Sequence, residues 1–143
     1  NVNLEEALRW TDSSTHNFGG EKSFTAWGTR AQVLNKLGRN EEAAATIKKA
    51  LPLGSMNEIH QYGRQLLGMK LFQQAFDIFK MNYDKNPDQY TTLMGMTRAY
   101  SGLGDFKNAA RYGTMALAKA PDEVNKKYTQ GLIDKLKEGK DIK

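Results

Sequence analysis

The sequence lacks cysteine, has only three prolines and contains no long run of apolar residues. The absence of cysteine excludes disulfide scaffolds, thiol nucleophiles, cysteine zinc sites and iron–sulfur ligation. It does not identify the compartment, because reducing and oxidising spaces both tolerate cysteine-free chains. The longest apolar runs are a few residues, such as 43–45, so the sequence predicts no membrane span.

The chain also lacks a concentrated charge of one sign. Its 143 residues are enough for one domain with a core, and a net charge of +5 raises the question of a nucleic-acid partner. The basic residues are spread, since even the lysine-rich segment 122–143 sets six lysines against five acids. A nucleic-acid-binding protein concentrates its positive charge on one face or groove. The distribution therefore predicts no nucleic-acid partner.

What the chain does contain is an internal repeat of about 34 residues. The turn positions Gly38, Lys70 and Gly104 lie 32 and 34 residues apart. Because glycine readily takes the left-handed conformation that ends a helix, Gly38 and Gly104 indicate turns between two helices. Pro87 and Pro121 close their repeats, since proline cannot extend a helix interior. The pattern predicts pairs of helices.

The repeat resembles the tetratricopeptide repeat (TPR), W-x2-L-G-x2-Y followed by a turn and then A-x3-F, A and P. The matching residues are Trp27, Ala31, Leu34, Ala43, Ile47 and Ala50, then Ile59, Gly63, Leu66, Ala75 and Phe79, and then Leu93, Thr97, Tyr100, Ala109 and Ala116. The sequence departs from the TPR pattern at Lys70, Asn82 and Gly113. The resemblance implies an all-α fold, a TPR-like right-handed α-solenoid of antiparallel helix pairs, with about eight helices and no strands.

The resemblance places one TPR-like domain over residues 1–143. Its predicted parts are the second helix of a truncated repeat at 3–14, repeats at 22–54, 55–87 and 88–121, and a C-terminal capping helix at 122–138. The residues predicted to cap helices at their N-termini are Asn3, Asn40, Asp105 and Asp122. The Ser/Thr/Gly-rich segment 12–20 predicts a loop.

Both ends of the array carry apolar residues. We expect the partner helix of this truncated repeat to lie upstream of residue 3, outside the given sequence, which should leave an apolar face around Leu4, Leu8 and Trp10. At the other end, Val124, Tyr128, Leu132 and Leu136 recur every four residues and should cover the last repeat, as a capping element does. Because the chain begins in mid-repeat without Met, we expect it to be part of a longer protein.

Catalytic and metal-binding patterns are weak in this sequence. Its two histidines, His16 and His60, are not spaced from each other or from carboxylates as metal ligands are. The pairs 5–6 and 41–42 are glutamates, and acids in the first turn of a helix complement its dipole. We therefore expect no metal, no cofactor and no enzymatic activity of this chain.

The TPR resemblance implies a binding groove on the concave face, lined by the first helix of each repeat. The residues carried onto that face contain no acid, while Lys36, Arg64 and Arg98 are basic. The predicted groove residues are Gln32, Asn35, Lys36, Asn57, His60, Gln61, Arg64, Thr91, Met94 and Arg98. Because arginine suits carboxylates, we expect a protein or peptide partner with acidic or carboxylate groups.

One specific TPR function is not expected. Chaperone-binding TPRs hold a terminal carboxylate with Lys and Asn in the first repeat, Asn in the second, and Lys and Arg in the third. The corresponding residues here are Gly28, Gln32, Gln61, Thr91 and Gly95. The carboxylate clamp is absent, so the resemblance does not extend to chaperone binding.

Two other functions stay open beside a non-catalytic binding scaffold. The repeats could pack against another domain or a second copy, and the oligomeric state is not predicted. They could also present substrate to a catalytic domain upstream. The segment 3–10 and the basic repeats are similar, more weakly, to the C-terminal TPR region of exported bacterial proteins of unknown function. This similarity favours an exported or periplasmic location, with any signal sequence outside the fragment.

Overall fold

A computed structural model of the chain describes residues 2–16 and 23–142. Within these residues the chain forms helices, turns and short coil, and no strand. The eight described α-helices are α1 Val2–His16, α2 Phe24–Lys36, α3 Asn40–Ala50, α4 Met56–Gly68, α5 Phe72–Lys85, α6 Tyr90–Gly102, α7 Phe106–Ala118 and α8 Glu123–Lys137. A turn of 3-10 helix, Leu51–Leu53, follows α3. The all-α fold class is confirmed.

The chain divides into two compact units, Asn1–Glu58 and Ile59–Lys143, called here the first and the second unit. In the first unit, α1 packs on α2 and α2 on α3. Its buried apolar side chains include Leu8, Leu34 and Ile47. In the second unit α5, α6, α7 and α8 pack in sequence order. Because consecutive helices contact each other, each core is built from neighbouring segments of the chain, as in helical-repeat proteins.

The three turns predicted between paired helices share one geometry. After α2, the amide of Gly38 donates to the carbonyl of Asn35 at 3.0 Å, and the amide of Arg39 donates to the carbonyl of Leu34 at 2.8 Å. The corresponding bonds after α4 and α6 measure 2.9–3.0 Å. This is the Schellman arrangement, which satisfies carbonyls at a helix end. The periodicity read from the turns therefore corresponds to a repeated structure.

Lys70 occupies the left-handed position of its turn, with a φ of 61°, where Gly38 and Gly104 have 79° and 81°. A residue with a Cβ is strained there by about 1 kcal/mol. We therefore expect Lys70→Gly to raise the free energy of unfolding by up to about 1 kcal/mol, measured by urea denaturation. The matched control is Lys107→Gly within α7, which should lower it by about 1 kcal/mol. A loss of stability in both variants would contradict the prediction.

The other two departures from the TPR pattern also have a structural reason. Asn82 is buried, and its Oδ1 accepts a hydrogen bond at 3.1 Å from Nδ2 of Asn86, just after the end of α5. Gly113 of α7 faces Ile133 of α8, and a Cβ at this position would lie 3.1 Å from Cγ1 of Ile133. The absence of a side chain at Gly113 thus leaves room for the branched side chain of Ile133.

The predicted helix N-termini are partly confirmed. The carboxylates of Asp105 and Asp122 accept the backbone N–H three residues further on, at 3.1 Å and 2.8 Å. The predictions for Asn3 and Asn40 are wrong. Asn3 lies inside α1, and Asn40 is the first residue of α3, preceded by Arg39, which makes no side-chain cap. Both helices begin one residue or more earlier than their polar residue suggested.

The N-terminal end also differs from the sequence expectation. Helix α1 continues through His16, so the loop predicted over 12–20 is wrong for 12–16, where no glycine or proline interrupts the helix. Residues 17–20 lie outside the described residues. Of the expected apolar face, Trp10 is exposed, whereas Leu8 is buried in the first unit and Leu4 is half-buried.

Helix α8 ends like the first helix of a repeat. The amide of Gly139 donates to the carbonyl of Leu136 at 3.0 Å, and φ at this glycine is 75°. The described residues 139–142 form no helix and are called here the tail. Of the four residues expected to cover the last repeat, Leu132 and Leu136 are buried, whereas Val124 and Tyr128 are exposed. The four-residue spacing therefore predicted burial correctly for two residues and wrongly for the two that face solvent.

Phe79 is the largest fully buried side chain of the second unit, with 1% of its surface exposed. Its ring lies against two glycines, Gly63 of α4 and Gly95 of α6. A Cβ built at either glycine would come within 2.7 Å of the ring. Because both glycines lack a side chain, the ring of Phe79 on α5 packs directly on α4 and α6, the first helices of two successive repeats.

A chain of aromatic rings extends this core from α5 to α7. Phe76 and Tyr100 meet edge to face at 5.1 Å between ring centroids, and Tyr100 stacks on Tyr112 at 5.5 Å. Tyr83 meets Tyr112 edge to face at 5.8 Å. Such contacts add roughly 0.5–1.5 kcal/mol each beyond the burial of area. They connect α5, α6 and α7.

Candidate functional site

The predicted groove residues fall in both units. In the first unit, Lys36 and Asn57 are exposed, Gln32 is half-buried and Asn35 is buried. In the second unit, Gln61 and Arg64 are exposed, while His60, Thr91 and Arg98 are half-buried. The second unit holds two of the three basic residues of the prediction, Arg64 and Arg98, and the candidate site is described there.

Met94 does not belong to an open surface. Its side chain is 5% exposed and packs in the core with Leu93, Leu132 and Leu136. Its sulfur lies 4.0 Å from the hydroxyl of Thr129 on α8. The prediction of Met94 as a groove residue is therefore wrong, because α8 covers this position of α6.

His60 lies beside Phe79 at the base of the charged region. The ring centroids of the two residues are 5.5 Å apart, and within the described residues Nδ1 of His60 has no hydrogen-bond partner. Burial, and then the positive charges of Arg98 and Arg64, lower the pKa of His60 to about 4. His60 is therefore neutral at pH 7, and the positive charge of this region comes from the two arginines.

Arg64 of α4 and Arg98 of α6 form what is called here the basic pair. Both act on the pKa of His60 and both line one pocket, which places them on the same surface. Arg98 donates a hydrogen bond from Nη2 to the hydroxyl of Tyr128 on α8 at 2.6 Å. Among the described residues, no carboxylate forms an ion pair with either arginine. The prediction that these two residues share one surface agrees with this placement.

A pocket of about 320 Å³ opens next to the basic pair. Helix α4 and the turn after it supply one side, α6 the other, and the tail closes one end. Its lining residues are Arg64, Leu67, Gly68, Lys70, Phe72, Arg98, Gly102, Asp141 and Ile142. The pocket therefore combines apolar side chains with three cations and one acid.

The tail is fastened to α6. The hydroxyl of Ser101 donates to Oδ1 of Asp141, and the amide of Ile142 donates to the same carboxylate oxygen at 2.7 Å. The side chain of Ile142 is 3% exposed and joins the core formed by Leu93 and Leu136. One acid and one apolar residue of the tail thus occupy the edge of the pocket.

Several residues of this site were missed by sequence reasoning. Lys70 lies in a turn and Phe72 in the second helix of a repeat. The positions expected on the concave face belong to first helices and include neither of them. Asp141 and Ile142 follow the last predicted helix and carry no periodic pattern. Tyr128 was assigned to the capping stripe instead, because it recurs with Val124, Leu132 and Leu136 every four residues.

Two further features of the described residues concern metal ions and membranes. Among residues 2–16 and 23–142, no group of three or more His, Cys, Asp or Glu side chains is arranged to hold a metal ion. No described helix is both long and apolar enough to cross a membrane.

Comparison with known proteins identifies a fold rather than a family. No protein-family model and no curated protein sequence matches this chain. A solved structure titled "MamA RS-1 ArsTM double mutant" matches it with a TM-score of 0.53 and 18% sequence identity. The match covers 95% of this chain and 84% of that chain. At this identity the similarity shows the fold alone, a TPR-like arrangement of helical repeats.

Proposed function

We propose that this chain is a TPR-type module that binds a protein or peptide without catalysing a reaction. The partner contacts the second unit on the surface formed by α4, α6 and α8, where Arg64, Arg98 and Tyr128 lie. It carries carboxylate groups that pair with the two arginines. A TPR-like helical fold with short loops supports this proposal, because such folds present side chains from several parallel first helices on one surface.

The observation that carries the proposal is that neither arginine of the basic pair forms an ion pair with a carboxylate of the described residues, although Asp141 lines the same pocket. Some other cations of the described surface have partners close in sequence, since Arg39 pairs with Glu42 at 2.6 Å and Lys80 with Asp84 at 2.7 Å. Arg64 and Arg98 form no such ion pair among the described residues. Two adjacent cations repel each other, so an anion placed between them gains from both.

Arginine is suited to this task by its geometry. Its planar guanidinium presents several N–H donors that match the two oxygens of a carboxylate. The hydrogen bond to Tyr128 holds Nη2 of Arg98 and leaves its other donors available. Half-burial of Arg98 strengthens an ion pair relative to one in bulk water. An acidic peptide segment can therefore bind across α4 and α6.

We expect Arg64→Ala and Arg98→Ala each to weaken binding of an acidic peptide about ten-fold or more, because a charged hydrogen bond contributes about 1.5–3 kcal/mol. The probe is a short fluorescein-labelled peptide rich in Glu and Leu, titrated by fluorescence anisotropy. The matched control is Arg111→Ala on α7, an exposed arginine that stacks on Tyr112 at 5.2 Å outside the proposed surface. It removes the same charge and should leave the affinity within about two-fold.

Unchanged melting temperatures of the two arginine variants would show that the fold is retained. Binding of the peptide by wild type and by the Arg64→Ala/Arg98→Ala double variant with equal affinity would reject the proposed surface. Equal losses of affinity in Arg64→Ala, Arg98→Ala and Arg111→Ala, which each remove one positive charge, would show that only net charge matters, which also contradicts it.

A further inference from the structure

The pocket beside the basic pair has an apolar interior and a charged edge. Leu67 and Phe72 are half-buried and Ile142 is buried, whereas the cations Arg64 and Lys70 are exposed. Charged groups of a ligand would therefore remain near solvent, while an apolar group would be removed from it. The volume of about 320 Å³ is at the lower end for ligand sites, which suits one or two side chains rather than a large cofactor.

Two glycines keep this pocket open. At Gly102 a Cβ would lie 3.0 Å from Cδ2 of Leu67 and 3.0 Å from Cδ1 of Phe72, so any side chain there would intrude between the two apolar residues. At Gly68 a Cβ would meet no atom within 4 Å. The space next to Gly68 is therefore empty of protein atoms and accessible to a ligand.

The tail shows which chemistry this surface accepts. Asp141 places its carboxylate on the hydroxyl of Ser101, and the next residue, Ile142, buries its side chain in the core. An acid followed by an apolar residue is thus held at the edge of the pocket by the chain itself. The same pocket is also lined by the three cations of α4, α6 and the turn.

We propose that the second unit recognises a peptide segment in which a large apolar residue stands next to an acid. The apolar side chain enters the pocket against Leu67 and Phe72, and the neighbouring carboxylate pairs with Arg64 and Arg98. This inference rests on the proposed function and adds to it the partner's sequence chemistry. Lys70 and Phe72 are outside the concave positions of the repeat, so this specificity belongs to the turn after α4 and not to the groove in general.

Charge complementarity and the pocket's dimensions favour this occupant. Three cations and one acid line the site, and the acid, Asp141, already accepts hydrogen bonds from Ser101 and Ile142. The three cations exceed the one acid by two charges, so they still lack a matched anion, which an acidic residue of a partner supplies. A purely apolar segment would leave them without one, and a purely acidic segment would leave the pocket empty.

The experiment fills the pocket with a side chain of the protein itself. Gly68 lines the pocket, and a Cβ there would meet no atom within 4 Å, so Gly68→Leu adds an apolar side chain at the pocket without a clash and should compete with the partner's apolar residue. The matched control is Gly131→Leu on α8, since a Cβ there also meets no atom within 4 Å and the position is exposed outside the pocket. Three labelled peptides serve as probes: one with adjacent Glu and Leu residues, one with Glu and Ser, and one with Leu and Ser.

We expect wild type and Gly131→Leu to bind the Glu/Leu peptide about ten-fold or more tightly than either of the others, because the Glu/Ser peptide lacks the leucine that is buried and the Leu/Ser peptide lacks the carboxylate that pairs with the arginines. Gly68→Leu should lose this preference while its weaker binding of the Glu/Ser peptide stays unchanged. Circular dichroism and thermal melting confirm that all variants are folded.

The possible failures are distinguishable. If wild type binds none of the acidic peptides, the proposed function itself fails. If it binds the Glu/Ser and Glu/Leu peptides equally, or if Gly68→Leu has no effect, the pocket assignment is overturned while the basic pair keeps its role. If wild type binds decanoate saturably and none of the three peptides competes with it, the occupant is a small amphiphile and the peptide proposal is overturned.

Discussion

Replacing Phe79 with alanine is expected to lower the free energy of unfolding by about 3–5 kcal/mol. The ring is 1% exposed and touches first helices of two successive repeats, at Gly63 and Gly95. Because neither glycine has a side chain that could move into the vacated space, the cavity would remain largely open. The cost therefore includes both the lost burial of the ring and the cavity itself.

Urea denaturation followed by circular dichroism measures this loss. The matched control is Phe72→Ala, which removes a half-buried ring that borders the open pocket and should cost clearly less. Binding of a small aromatic such as benzene to the Phe79→Ala variant, with recovery of stability, would show that the cavity stays dry and apolar. A loss in Phe79→Ala no greater than in Phe72→Ala would contradict the role assigned to Phe79.

Phe79 also links the core to the candidate site. Its ring lies 5.5 Å from that of His60, and His60 lies close enough to Arg64 and Arg98 for both to lower its pKa. The spacing of α4 and α6 at the basic pair therefore depends on how this ring packs. A single buried residue of a second helix thus positions charged residues that belong to two first helices.

The sequence predicted the features that repeat. The turns at Gly38, Lys70 and Gly104 come from a helix end that needs a left-handed residue, and this need recurs with each repeat. The alanines that match the TPR pattern, such as Ala31, Ala75 and Ala109, are fully buried because helices cross closely there. Local physical requirements of this kind leave a periodic trace in the sequence, and a periodic trace can be read without a structure.

Features that occur once were not predicted. The tail has no repeat counterpart, so nothing in its sequence indicated that Ile142 would be buried or that Asp141 would reach Ser101. Met94 was misplaced because the rule for concave positions assumes an open face, whereas α8 covers this part of α6. The basic pair was found because both arginines take the same position in successive repeats, while the pocket beside them depends on a turn and a tail.

The second large effect is expected at Gly63, where alanine should destabilise the protein although it is the better helix former. Helix propensity would gain up to about 1 kcal/mol from this change. The new methyl group would, however, lie 2.7 Å from Cε1 and Cζ of Phe79. The ring cannot retreat toward α6, because at Gly95 a Cβ position is already 2.7 Å from it. Overpacking of this kind costs about 1–3 kcal/mol, which exceeds the gain in propensity.

The same substitution at Gly131 should have the opposite sign. Gly131 is also helical, but it is exposed on α8 and its Cβ would meet no atom within 4 Å. Gly131→Ala therefore has only the propensity term and should raise the free energy of unfolding by about 0.5–1 kcal/mol. Measured side by side in urea, the two variants separate packing against Phe79 from the intrinsic preference of the helix. Stabilisation by both alanines would mean that the ring of Phe79 yields, and that the close approach of α4, α5 and α6 is not what requires glycine there.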